Sequence, residues 1–189
     1  MDTEISTLAR QIAEHLGGFT AVPHDHGVCL HGPGDQELWV CRMWNHRERA
    51  EIHGSYPPGE ETGRLPRHQI TVAISRPPEA IVTDITRRLL PAYRNDLKIA
   101  RERIEQAAHD DENRARIAAR LLAAIPHASA AESKRETAIH WFDDTAGSGT
   151  IRLHGNGGSA TIERHRARPQ LTGRIADAVA AALRSRRGQ

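Results

Sequence analysis

Apolar residues recur at helical spacing at the start of the chain, where Ile5, Leu8, Ile12 and Leu16 lie three or four apart before Gly17-Gly18. The pattern predicts an amphipathic helix closed by a glycine in the left-handed conformation. The period then changes. Short alternating or β-rich stretches, FTAV, GVCLHG, ELWVCRMW, RAEIHGSY and HQITVAIS, are separated by turn-forming pieces such as HGPGD and WNHRE. They predict an antiparallel sheet with hairpin connections. The gap PPGEETGRLPR at 57–67 is longer, charged and rich in Gly and Pro, which predicts a mobile surface loop. From Pro78 the helical period returns, with Ile81, Ile85, Leu89, Tyr93, Leu97, Ala100 and Ile104 on one stripe. Pro91 interrupts that stripe and predicts a kink near Leu90 or two helices in succession. HDDEN at 109–113 reads as a break with acidic N-caps, after which Ile117, Leu121, Leu122 and Ile125 mark a third helix that stops at Pro126.

The second half repeats the order. HASAAESKRE reads as a loop, TAIHWF, GTIRLHG and SATIERH as strands, and Leu171, Ile175, Val179 and Leu183 as the inner face of a final helix. EIHGSY at 51–56 and RLHGNG at 152–157 set a His-Gly pair at the end of the middle strand of each half. Ile81, Ile85 and Leu89 correspond to Leu171, Ile175 and Val179 at a constant offset of 90. The expectation is an α+β protein of two similar halves, 1–108 and 109–189, each helix, antiparallel sheet, helix, related by internal duplication.

Composition bounds the setting. The 189 residues, 38% of them hydrophobic, suffice for one generous domain or two small ones. No apolar run approaches the roughly 18 residues of a membrane span, and MDTEISTLAR has acid where a secretory signal carries base, so a soluble, cytoplasmic protein is expected. Cys29 and Cys41 lack CxxC spacing and read as reduced, small buried hydrophobes, the alternative being a single bridge between them.

Charge adds a candidate surface. Of the 26 basic residues only Lys98 and Lys134 are Lys, and Arg grips phosphate through a planar fork. Arg164, Arg166, Arg168, Arg184, Arg186 and Arg187 concentrate base near the C-terminus, while Arg49 and Arg152 belong to polar sheet faces. These residues predict a nucleic-acid surface, with DNA ahead of RNA as the partner. The competing surface is apolar: Trp39, Met43 and Tyr56 predict a protein interface, with a host protein or a second copy of the chain as partner.

Other chemistry is thinner. PHDHG places His24 and His26 two apart, so that an extended segment would turn both imidazoles to one side with His31 as a third nitrogen donor; this is a weak metal pattern with no zinc-spaced partner pair. TAGSGT and HGNGGSAT read as hairpin turns, not phosphate loops, and Asp143-Asp144 as turn chemistry. No GxSxG elbow or activated Cys is present, so no catalytic residue and no cofactor are assigned.

The stretch RHQITVAISRPPEAIVTDITRRLLPAYRNDL, residues 67–97, resembles a segment of uncharacterised proteins from high-GC actinobacteria and their phages. There an HxI strand leads into P-x-x-I and RRLLPAYR. The resemblance covers about a sixth of the chain and carries no known activity, so it transfers no site residue. It implies a phage or mobile-element accessory protein, expected to be non-enzymatic.

Overall fold

The computed structural model describes residues 2–133, 136–143, 147–167 and 169–184, with side chains at all of these except 143, 164–167 and 169–174. The protein is α+β, with two antiparallel sheets in which sequential strands are neighbours. It divides into two compact units, Met1–Ile104 and Glu105–Gln189. The division falls inside a helix, four residues before the boundary expected from HDDEN.

In the first unit, helix α1 (Thr3–Leu16) is capped by Asp2, whose carboxylate accepts from the Glu4 and Ile5 amides, and ends at Gly17 with φ +67°. A five-stranded meander follows: β1 (Thr20–His24), β2 (Gly27–Gly32), β3 (Gln36–Arg42), β4 (Arg49–Ser55) and β5 (Gln69–Ala73). Alternation sorts its two faces. Val28, Leu30, Leu38, Val40, Ala50, Ile52, Ile70 and Val72 form one core with Ile5, Leu8 and Ile12 of α1 and with Ile81, Ile85, Leu89, Tyr93 and Leu97. Each such Val, Leu or Ile side chain, once buried, contributes roughly 1.5–3 kcal/mol. The odd-numbered positions of β2 to β5 form the opposite face.

After β5 come α2 (Pro78–Asp84), a π turn (Ile85–Leu89) and α3 (Leu90–Ala124). Pro91 has no amide hydrogen, and just before it the Leu90 N–H bonds to the Ile85 carbonyl, five residues back. The extra residue in that turn also explains the stripe. Positions repeating strictly every four residues drift round a 3.6-residue helix, and a wider turn winds them back, so Ile81, Ile85, Leu89, Tyr93 and Leu97 all stay buried.

The expected break at 109–113 does not occur: α3 runs unbroken through HDDEN. Its polar residues are satisfied at helical spacing, Gln106 donating to Asp110, Arg114 to Asp111 and Arg116 to Asn113. These i,i+3 and i,i+4 contacts favour the helix over the local turns that Asp and Asn otherwise form.

The second unit takes the end of α3, then β6 (Ser129–Glu132), β7 (Glu136–Asp143), β8 (Gly147–His154), β9 (Ser159–Ala167) and α4 (Pro169–Arg184). β6 lies within the segment expected to be a loop. Its four residues are all exposed, so no hydrophobic alternation marks them, and pairing with β7 alone makes the strand. Ile117, Leu121, Ile125, Ile139, Trp141, Ile151, Leu153, Ile175 and Val179 build this unit's core. Arg114, 5% exposed, donates to the Gly155 carbonyl and so ties α3 to the β8–β9 turn.

Candidate functional site

The open face of the five-stranded sheet gathers the first unit's reactive side chains. Register sets Cys29 opposite Trp39, His31 opposite Glu37, Trp39 opposite His53 and Cys41 opposite Glu51. Trp39 therefore stands in the middle, with its ring 4.9 Å from that of His24. Among the described residues, two groups of side chains able to ligate a metal flank it, Cys29–His31–Glu37 and Cys41–Glu51–His53, the donor atoms of each lying within 4.8 Å of one another.

The two groups differ electrostatically. Glu51 and His53 share the Arg67 guanidinium, which lies 2.5 Å from the carboxylate and 3.1 Å from His53 Nδ1. Burial, then the Arg67 charge, pushes the His53 pKa down, against the pull of Glu51. The other group has a buried Cys29 thiol, raised to about 11 by burial and by Glu37, and a His31 Nδ1–Glu37 Oε1 distance of 3.6 Å. The two sulfurs are free thiols. Tyr93 fixes the edge of this face: its hydroxyl accepts from the Glu37 amide at 2.9 Å and donates to the Ser55 carbonyl at 2.8 Å.

At the β3–β4 turn lies a second feature. Trp44 is 94% exposed, and with Met43, Arg42, Arg47, Asp2 and Glu4 it lines a recess of about 580 Å³. Arg42 is held by Asp2, Glu4 and the Arg47 carbonyl, and the guanidinium lowers the Asp2 pKa in return. The charge lining the recess is mixed in sign.

The residues singled out by sequence are distributed unevenly. Trp39 lies on the sheet face and Met43 just past the end of β3, while Tyr56 packs against the core and donates to the Pro66 carbonyl. His24 ends β1, and His26 sits in the two-residue turn after it, so the expected extended His24–His26 segment does not exist. His31 pairs with Thr20, four residues and about 13 Å along the strand from His24, and its neighbours are Cys29 and Glu37 instead. Arg49 donates to the Thr71 carbonyl at 3.4 Å. Arg152 is clamped by Glu136 at 2.6 Å and Glu163 at 3.3 Å. Arg184 is exposed at the end of α4. The backbone of Arg164 and Arg166 runs in β9, whose one described neighbour is β8; their side chains, and Arg168, Arg186, Arg187 and Asp144 entirely, lie outside the described residues.

Sequence reasoning missed Trp44, Cys29 and Glu37 as members of these constellations, and did not single out Cys41 and Glu51 as ligands. Only Trp44 carried a local signal, an aromatic inside the polar turn WNHRE. Among the described residues no helix is long and apolar enough to cross a membrane. No protein family, no curated protein and no solved structure matches the chain.

Proposed function

We propose that the protein is a non-enzymatic binding module that docks another protein through the β3–β4 turn. The observation that carries this reading is Trp44, 94% exposed beside Met43 and Arg47 at the mouth of a recess lined by both charge signs. Trp and Arg are the residues that most often anchor interfaces, and an aromatic held in water at a turn closed by the Met43 N–H to Arg49 carbonyl and Arg49 N–H to His46 carbonyl bonds costs less ordering when it docks than one on an open loop. A polyanion is less suited to this recess because Asp2 and Glu4 stand in it and already neutralise Arg42.

Nucleic-acid binding is the second reading, supported by the arginines clustered from Arg164 onward and by the exposed Arg184. It is weakened at Arg152, whose charge is matched by Glu136 and Glu163. The two readings separate in one experiment. The purified chain and its Trp44→Ala variant are used as bait for host proteins, and both are titrated with labelled DNA and RNA across a salt series. A captured protein whose binding is lost in Trp44→Ala and tolerates salt supports the module. Salt-steep DNA binding lost in an Arg164, Arg166, Arg168 triple Ala variant replaces it with the second reading. Capture indifferent to Trp44 refutes the docking surface.

The resemblance at 67–97 supports reading such a module as a phage or mobile-element accessory protein acting on a host factor. We read the two units as degenerate copies of one ancestor, because in each the penultimate strand carries the His-Gly pair near its end and the last strand leads into a helix that begins with Pro. Experimental coordinates in which the two sheets superpose only after strand permutation would sink that reading.

A further inference from the structure

We propose that Cys29, His31 and Glu37 form a binding site for a divalent transition metal of the zinc class, separate from the Trp44 docking surface. The site is built by strand pairing. Cys29 and His31 are two apart on β2 and so share a face, and β3 sets Glu37 directly opposite His31. A thiolate, an imidazole and a carboxylate are the donors zinc takes, and three protein ligands leave a fourth position for water or another donor.

The distances fit a coordination shell better than a hydrogen-bonded cluster. His31 Nδ1 and Glu37 Oε1 are 3.6 Å apart, too far for a hydrogen bond. Ligands bound at about 2.1 Å in a tetrahedron are separated by about 3.4 Å, and all three donors here lie within 4.8 Å. The supports are anchored in the core. Tyr93, fully buried, holds the Glu37 backbone through its hydroxyl. Cys29 is 2% exposed, lying between Val22 and Trp39 in register, so its sulfur is shielded while His31 and Glu37 open to solvent.

The neighbouring Cys41–Glu51–His53 group supplies the contrast. There Arg67 already provides a positive charge to Glu51 and His53. None of the described cationic side chains contacts Glu37 apart from His31 itself. Binding balances simply: the Cys29 thiol releases its proton to solvent as the sulfur–metal bond forms, and the His31 imidazole donates a ring-nitrogen lone pair.

The test is titration of the full chain, reduced and freed of metal, with Co²⁺, read by the thiolate-to-cobalt charge-transfer absorption and by equilibrium dialysis. One Co²⁺ per chain with a charge-transfer band, displaced by Zn²⁺, is expected. His31→Gln and Glu37→Gln, which change exposed side chains and leave the core intact, should each weaken binding about tenfold or more. Cys29→Ser should abolish the band, whereas Cys41→Ser and His53→Gln should leave it. No stoichiometric Co²⁺, a band that survives in Cys29→Ser, or loss in Cys41→Ser with retention in His31→Gln overturns the assignment.

Discussion

Replacing Gly54 by Ala puts a methyl group where the Tyr93 ring now lies. A Cβ built at this position falls 2.6 Å from Cε2 and 2.7 Å from Cγ of that ring, and closer still to Cδ2. Carbon contacts settle at about 3.5–4.0 Å, so the ring must retreat by about 1 Å or more. Tyr93 is fully buried, and its hydroxyl bridges Glu37 and Ser55 at 2.9 and 2.8 Å. The same retreat breaks both hydrogen bonds. Overpacking costs about 1–3 kcal/mol and each lost bond about 1 kcal/mol, giving an expected loss of about 3–5 kcal/mol. That is a large part of the roughly 5–15 kcal/mol that holds a typical domain. The assay is urea unfolding followed by Trp fluorescence in a Trp141→Phe background, which leaves Trp39 and Trp44, both in the first unit, as reporters. A Tyr93→Leu change frees the space, so the two substitutions should couple by about 1–3 kcal/mol. A Gly54→Ala loss within about 0.5 kcal/mol, or the same loss with and without Tyr93, would refute the argument.

Three further outcomes are expected. His53 binds its proton more weakly in the folded chain than at its ordinary 6.5, because of burial and Arg67, so its contribution to stability is complete above 6.5 and is lost as pH falls through the folded value. Unfolding curves across that window should flatten in His53→Gln, and an unchanged slope counts against the assignment. Trp141 is 4% exposed with its indole N–H unpartnered among the described residues, so Trp141→Phe trades lost contact area against relief of a buried donor worth about 1–3 kcal/mol. The net change should stay within about 1 kcal/mol by urea unfolding, and a loss above about 2 kcal/mol would mean the N–H has a partner. In the native, metal-free chain iodoacetamide should label the half-buried Cys41 ahead of Cys29, which is 2% exposed with its thiol raised to about 11. Peptide mapping that finds Cys29 modified first would contradict this.

Helices and strands with a buried face were legible because burial imposes a period. Ile5, Leu8 and Ile12 repeat at 3.6-residue spacing, and Ile151 and Leu153 alternate with Arg152 and His154. Where that imprint was missing, reading failed. β6 is exposed throughout, and the middle of α3 is polar, so local breaker chemistry at 109–113 outweighed the side-chain pairs that keep the helix whole. Pro91 foretold an irregularity, but the wider turn that absorbs it precedes the proline and depends on which residues the sheet buries.

Residue type and spacing by themselves determined the α+β class, most element positions and the inner face of the strands that bury one side. Tertiary structure decided which side chains meet. His24, His26 and His31 are close in sequence, but a turn and a strand's length separate them, while Cys29, His31 and Glu37 converge because β2 and β3 pair in one register. A shift of one residue in that register would send Glu37 to the core face and dissolve the cluster. Trp44 carried only the hint of its polar turn WNHRE, and nothing in a Trp fixes whether a fold will cover it; the position of the β3–β4 turn leaves it in water. Period is a property of neighbours along the chain, and register is a property of strands brought together by the whole core.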